Sequence, residues 1–468
     1  MYILIILFNI EHFKEKPVFK KIFCILFCCV LIFSVAATAA SAYTPTNFDI
    51  DAEGALLVNT DTGDVLYSKN ADKKLYPASL TKLMTALVLY ENTADIDNEI
   101  ITVSEYAIKS LQGTDSSTGG LQIGEQLTVR QMLYVLLLSS ANDGANAIAE
   151  HVSGNIDVFC DRMNAKAAEL GMTGTHYANA HGLHDPNHYT TVNDMYKLTS
   201  AFLSVDILKE VCYSTKYTLE ATNKNAKRTF TTTNYLMLNN GLKCTASKYK
   251  GQSYYYKYAN GVKTGYTDNA GRCLISTASK GGYNYMCIIM NSPVYDESGQ
   301  KIRIEFGDTK ALYEWAFNDF DYKTVINSDE IIGEAPVTLA WDTDYVSAVT
   351  SESLTAIVPK VADSSTVSHN ISWYKESYEA PIKKGDVLGE CELIYAGESL
   401  GTVTLVASQD VERSTLMYIG DTAKRVASTV FGSKIFLAVV IIIVLLIIAF
   451  IISLAVLNSP KRRKKRKY

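Results

Sequence analysis

Apolar and polar positions alternate in two short runs near residue 60. Ala55–Val58 and Val65–Tyr67 flank Asn59-Thr60-Asp61-Thr62-Gly63-Asp64, a segment of turn formers, which predicts strand, turn and strand. The spacing then changes. Leu83, Met84, Leu87 and Val88 recur at helical intervals, which predicts an amphipathic or buried helix entered at Pro77, with Ser79 in its first turn. Thr128 and Gln131 form a capping box ahead of Val129, Met132, Leu133, Leu136 and Leu137. A helix is expected over 156–171, closed by Gly171, and another begins at Thr191. Alternation returns at 260–267, 271–280 and 283–291, the last two a hairpin about Gly281-Gly282. In that register Cys287 lies opposite Ser276. Cys273 then points to the other face, so no Cys273–Cys287 disulfide is expected.

Past residue 322 the runs shorten. Val337–Ala340, Leu354–Val358 and Gly401–Val406 are separated by polar turns such as Pro381–Asp386, which predicts a separate small β-sandwich or barrel over 323–412. Residues 413–434 read as a linker or helix. Ile435–Leu457 is free of charge over 23 residues. At about 1.5 Å per residue it is long enough to cross a membrane. Seven lysines and arginines follow Pro460, so the tail 458–468 is expected to stay cytoplasmic. At the other end, Lys14, Lys16, Lys20 and Lys21 precede an apolar run and a small-residue stretch ending at Ala42. Residues 1–42 therefore read as a signal peptide, with an uncleaved anchor as the alternative. The region between, 43–322, is long enough to bury a hydrophobic core of its own.

Charge narrows the functional classes. The chain total of minus five includes plus two from 1–42 and plus seven after Pro460, which leaves minus fourteen on 43–460. Such a body lacks the basic footprint that nucleic acid requires. Six cysteines lie beyond residue 42, which permits disulfides in an exported protein without requiring them. His181, His184 and His188 sit near Asp185 in a segment rich in Gly, Pro and Asn. That composition predicts a structured loop near a cleft rather than a helix that would align metal ligands. The tyrosine-rich segment 223–260 reads as packing of strands and loops rather than a sugar platform.

Three short motifs carry candidate chemistry. In Ser79-Leu80-Thr81-Lys82, Ser79 and Lys82 share a helix face. A serine hydroxyl needs a base beside it, and a lysine serves when burial or a nearby cation lowers its pKa. In Ser140-Ala141-Asn142, polar residues abruptly replace leucines at a helix end, and their alternation projects both into one cleft. A hydroxyl there relays a proton, and an amide holds a carbonyl and a lysine at once. In Lys263-Thr264-Gly265, an edge strand offers a cation and a hydroxyl suited to a carboxylate, and Gly265 lets a ligand approach the backbone. Taken singly, each motif also reads as a helix cap or a protected sheet edge.

In the order Ser-x-x-Lys, Ser-x-Asn, Lys-Thr-Gly, the chain resembles the low-molecular-mass penicillin-binding proteins, specifically the D-alanyl-D-alanine carboxypeptidases, over roughly residues 45–410. The His181-Gly182-Leu183 loop, the Thr-Gly hairpin before Ser79 and the β-rich segment belong to the same likeness. The resemblance implies an α+β catalytic domain of the penicillin-binding-protein and β-lactamase kind. It implies Ser79 as acyl-enzyme nucleophile, Lys82 as its base, and Ser140 and Asn142 lining the cleft. Lys263 and Thr264 would receive the substrate carboxylate. The N–H groups of Ser79 and Tyr266 would form the oxyanion hole. Some relatives carry His at the position of Tyr266, where only the backbone is needed. The implied activity is removal of the terminal D-alanine from peptidoglycan stem peptides in wall synthesis and cell shape, with β-lactams as covalent inhibitors and no metal or cofactor. The catalytic domain would face outward from the cell membrane. A β-lactamase is the alternative within the fold, but the Glu-x-x-Leu-Asn of class A is absent between 142 and 263. A silent penicillin sensor or scaffold is the other alternative, against which Ser79 and Lys82 stand. Relatives typically end in an amphipathic surface helix, whereas this chain is expected to span.

Overall fold

In the computed structural model, residues 49–114, 116–431 and 434–457 are described. The readings of 1–42 and 458–468 lie outside them. The chain divides into two compact units. One runs through Asp321 and includes Ile357–Val361; the other takes Tyr322–Ala356 and the residues from Ala362 onward.

In the first unit, β1 (Gly54–Asn59) and β2 (Val65–Lys69) form the expected antiparallel pair. Two small ribbons follow, β3 (Ile100–Thr102) with β4 (Gln126–Thr128) and β5 (Lys216–Leu219) with β6 (Arg228–Thr231). Then β7 (Ala259–Thr267), β8 (Gly271–Lys280) and β9 (Tyr283–Ser292) complete a five-stranded sheet of order β2-β1-β9-β8-β7, with β7 on an edge. Ser276 faces Cys287 across the β8–β9 hairpin, and all six described cysteines are free thiols.

Strand period two divides the sheet's side chains between two layers. Leu56, Val58, Ile288 and Met290 belong to the core shared with the helices. Tyr285, on the alternate face, meets Phe317 of the helix Ile304–Asp319 with ring centroids 4.9 Å apart. The helical layer holds α1 (Lys82–Glu91), α2 (Glu105–Lys109), α3 (Val129–Leu138), α4 (Asn142–Ser153), α5 (Ile156–Glu169), α6 (Val192–Leu203) and α7 (Asp206–Tyr213). On the opposite layer is α8 (Ile304–Asp319). All of α1 from Lys82 to Leu89 is buried, as expected of a helix packed on every side. The capping box at Thr128 and Gln131 forms as the sequence dictates.

One boundary differs from the sequence reading. Ser79 does not lie in the α-helix but in a 3-10 turn, Ala78–Thr81, that precedes it. The Leu80 N–H bonds to Pro77 O at 3.1 Å, and Ala78 sits at φ +46°. A left-handed residue cannot extend an α-helix, so no α-helix runs back through Ala78; α1 itself begins at Lys82.

In the second unit, strands pair into one six-stranded sheet. Its order is Val367–Trp373, Val387–Tyr395, Glu398–Ala407, Tyr345–Thr350, Ile331–Thr338, Tyr378–Glu379. The helices α9 (Thr415–Phe431) and α10 (Lys434–Leu457) follow. By length and composition α10 is apolar enough to cross a membrane.

Candidate active site

The turn before α1, the gap between α3 and α4, and the edge strand β7 bring the three motifs together. Lys82 is fully buried in the first turn of α1. Its Nζ lies 3.0 Å from Ser79 Oγ, and it donates to Asn142 Oδ1 at 2.6 Å and to the His181 carbonyl at 2.7 Å. Burial drives its pKa well below the usual lysine value; the Lys263 charge pushes the same way and Asp143 opposes both.

Ser140 and Asn142 arrive by a broken helix. α3 ends at Leu138, Ser140 turns through φ +59°, and α4 restarts at Asn142. The break separates the two side chains, so Asn142 reaches Lys82 while Ser140 accepts from Lys263 Nζ at 2.9 Å. Asp143 secures the break. Its carboxylate is buried and accepts N–H bonds from Gly119 at 2.7 Å and Leu121 at 3.1 Å, tying the Gly-rich loop to α4.

On β7, Lys263 is buried and its Nζ also donates to Thr264 O at 2.9 Å. Burial lowers its pKa to about 7. The Thr264 hydroxyl bonds to that of Thr233. Gly265 packs closely on the turn: a Cβ there would stand 3.1 Å from Pro77 O and 3.2 Å from Ser79 N, so the backbone opposite would have to give by a few tenths of an ångström. That packing holds the backbone of β7 beside Ser79. Tyr266 is exposed, its hydroxyl donates to Asp268, and the Arg272 guanidinium lies 5.1 Å from its ring centre.

Two features escaped the motifs. The His181 carbonyl completes the Lys82 site, and His188, read earlier only as a conceivable metal ligand, bonds to Thr81 through Nε2 at 2.7 Å. His181 and His188 are both held near pKa 3, chiefly by burial. Among the described residues no group of three or more His, Cys, Asp or Glu is arranged to hold a metal. The histidine spacing was visible in the sequence, but the partner at Thr81 was not.

A sheet flanked by helices, with Ser-x-x-Lys, Ser-x-Asn and Lys-Thr-Gly converging on one serine, defines a penicillin-binding serine peptidase. The family model for D-alanyl-D-alanine carboxypeptidase matches residues 38–294, and that for the C-terminal domain of penicillin-binding protein 5 matches 320–413. The chain belongs to the D-alanyl-D-alanine carboxypeptidase family. It is 30% identical over 368 residues to D-alanyl-D-alanine carboxypeptidase DacF of Bacillus subtilis, covering 78% of this chain and 87% of that one. To DacC of Escherichia coli it is 28% identical, covering 81% and 90%. Among solved structures, penicillin-binding protein 5 of Haemophilus influenzae superposes with a TM-score of 0.54 at 25% identity, covering 79% of this chain and 99% of that one.

Proposed function

We propose that Ser79 is the nucleophile and Lys82 the general base of a membrane-anchored D-Ala-D-Ala carboxypeptidase acting on peptidoglycan stem pentapeptides. Membership of the family makes the chain a serine-type carboxypeptidase and a penicillin-binding protein. The observation that carries the assignment of roles is the buried Lys82 amine, 3.0 Å from Ser79 Oγ with its pKa driven down. A neutral amine there takes the Ser79 proton as Oγ attacks the carbonyl between the two D-alanines. The backbone N–H groups of Ser79 and Tyr266 receive the developing oxyanion. The amide bond then breaks, and the Lys82 ammonium gives its proton to the departing D-alanine nitrogen, while Ser140, bonded to Lys263 Nζ, lines the cleft on the other side. Water hydrolyses the Ser79 ester. Lys263, Thr264 and the close backbone at Gly265 receive the substrate's terminal carboxylate, and Asn142 orients Lys82. The steps need no metal or cofactor.

The boundaries follow the same reading. Residues 1–42 are a signal peptide, 43–322 the catalytic domain, 323–412 a β-rich domain, 413–434 a helical linker, 435–457 the span and 458–468 a basic tail. The Lys/Arg cluster after Pro460 favours a cytoplasmic tail and an outward catalytic domain.

The test is to label membranes with a fluorescent penicillin and to assay D-alanine release from a pentapeptide. Ser79→Ala is expected to abolish both, and the wild-type label is expected to decay slowly after free penicillin is removed. Cleavage by the Ser79→Ala protein would sink the mechanism. Release of the label within seconds, with continuous penicillin turnover, would make the protein a β-lactamase.

A further inference from the structure

Ala78, the residue before the nucleophile, is held in a conformation that L-residues avoid. Its φ is +46°, and the turn it opens has no side-chain cap of its own. Non-glycine residues persist in the left-handed region only where their surroundings over-determine them. Here the surroundings are the loop 176–191. Thr81 Oγ1 donates to Ala78 O at 2.8 Å. His188 Nε2 lies 2.7 Å from the same Thr81 oxygen. The ring's tautomer follows from its other side, where Nδ1 accepts the Ala178 N–H at 3.0 Å. The ring proton is therefore on Nε2, and one directed line of donors runs from His188 to Thr81 to the Ala78 carbonyl. The ring itself is buried, with Tyr177 edge-on at 5.5 Å between centroids.

The same loop presses on that carbonyl a second time. Gly182 has φ +90°, and a Cβ on it would stand 1.9 Å from Ala78 O. Gly265 of β7 also packs on the turn, where a Cβ would stand 3.2 Å from Ala78 Cβ and from Ser79 N. The strained turn is thus gripped between the loop and β7.

We infer that His188 is a positioning residue for acylation: through Thr81 it fixes the Ala78 carbonyl, keeps Ala78 left-handed, and so aims the Ser79 hydroxyl at Lys82 and the Ser79 N–H at the oxyanion. It touches neither substrate nor the reacting atoms. Without the relay Ala78 relaxes toward the right-handed region and the turn rotates, carrying both groups of Ser79 off line. Peptide and β-lactam acylation suffer alike, because both attack steps use the same two groups. The inference rests on Ser79 as the nucleophile.

The test is penicillin labelling of the full chain in detergent, recording the second-order rate constant, the labelled fraction and the melting temperature. The variants are Thr81→Val, Thr81→Ser, His188→Leu and the double variant Thr81→Val/His188→Leu, with Ser79→Ala as control. A displacement of about 1 Å at a reacting group costs up to roughly 100-fold in rate. Thr81→Val and His188→Leu are expected to label to nearly the wild-type fraction with rate constants lowered by about 10- to 100-fold. Thr81→Ser keeps the hydroxyl and is expected to stay near wild type. The double variant is expected to be no slower than the worse single one, since the residues act as one unit. A fall in labelled fraction and melting temperature, with an unchanged rate constant in the folded fraction, would reduce His188 to a structural residue and overturn the inference. If only this pattern appears while Ser79→Ala stays unlabelled, the nucleophile assignment survives. Labelling of Ser79→Ala at the wild-type rate would remove both.

Discussion

Lys82 and Lys263 stand on two sides of one site, and both are buried, yet their surroundings differ in a way that suits the opposite tasks proposed for them. Lys82 meets a side-chain amide oxygen, a backbone carbonyl and the Ser79 hydroxyl, and it feels the charge of Lys263 in addition to burial. Lys263 meets the Ser140 hydroxyl and the Thr264 carbonyl, and burial alone lowers its pKa, to about 7. The first is pushed toward the neutral amine that a base must be. The second is left balanced near neutrality, where the carboxylate proposed to bind there would restore its charge. The lesson is that desolvation makes a lysine titratable, and its neighbours decide which form does the work.

One substitution made at each position gives the sharpest break. Lys82→Arg is expected to lose the acylation step, by about 100- to 10,000-fold or more, because a guanidinium does not release its proton. Lys263→Arg keeps the cation and is expected to retain much more activity. Equal losses in kcat/KM would dissolve the distinction between base and anchor.

Removing the cation altogether is the next effect in size. Lys263→Ala is expected to lower kcat/KM by about ten- to 150-fold, the worth of a charged hydrogen bond to a carboxylate. The pH dependence sharpens this. In free enzyme Lys263 loses its charge as pH rises through about 7, so kcat/KM is expected to fall on that limb, and Lys263→Arg is expected to remove it. Stability moves the other way. The unfolded lysine holds its proton up to its usual 10.5, so between about 7 and 10.5 the unfolded state binds more protons. Stability gained from this group therefore rises with pH across that window, and denaturant midpoints of Lys263→Met are expected to lose that rise.

The smallest effect expected is none. Both lysines, and every partner named for them, lie in the first unit. Ending the chain after Phe431 is expected to release a soluble enzyme with kcat/KM unchanged on a soluble pentapeptide. A large loss would tie the two lysines to the span.

What the sequence made legible was whatever local chemistry dictates. The Thr128 capping box, the Ser276–Cys287 register and the apolar run of α10 all depend on neighbours within a few residues or on a simple period. The three motifs were legible because each keeps its reactive residues within three positions. The left-handed residues at Ala78 and Ser140 were not, since nothing in their side chains calls for that conformation. Nor was the bond between Thr81 and His188, which joins residues 107 apart in the chain. The alternating runs of the second unit foretold an all-β domain but not the strand order, which long-range pairing decides.

The three partners of Lys82 Nζ also settle a matter of hydrogen inventory. As a neutral amine it owns two hydrogens and a lone pair. The Asn142 and His181 oxygens take the hydrogens, which leaves the lone pair for the Ser79 hydroxyl. With the serine's proton taken up, as proposed, it would own three hydrogens, and the same three oxygens would accept them all. Neither state calls for a partner to turn or a water to enter. The donor count changes by one and the geometry absorbs it, so the three partners are already in place for the proton transfer proposed at this amine.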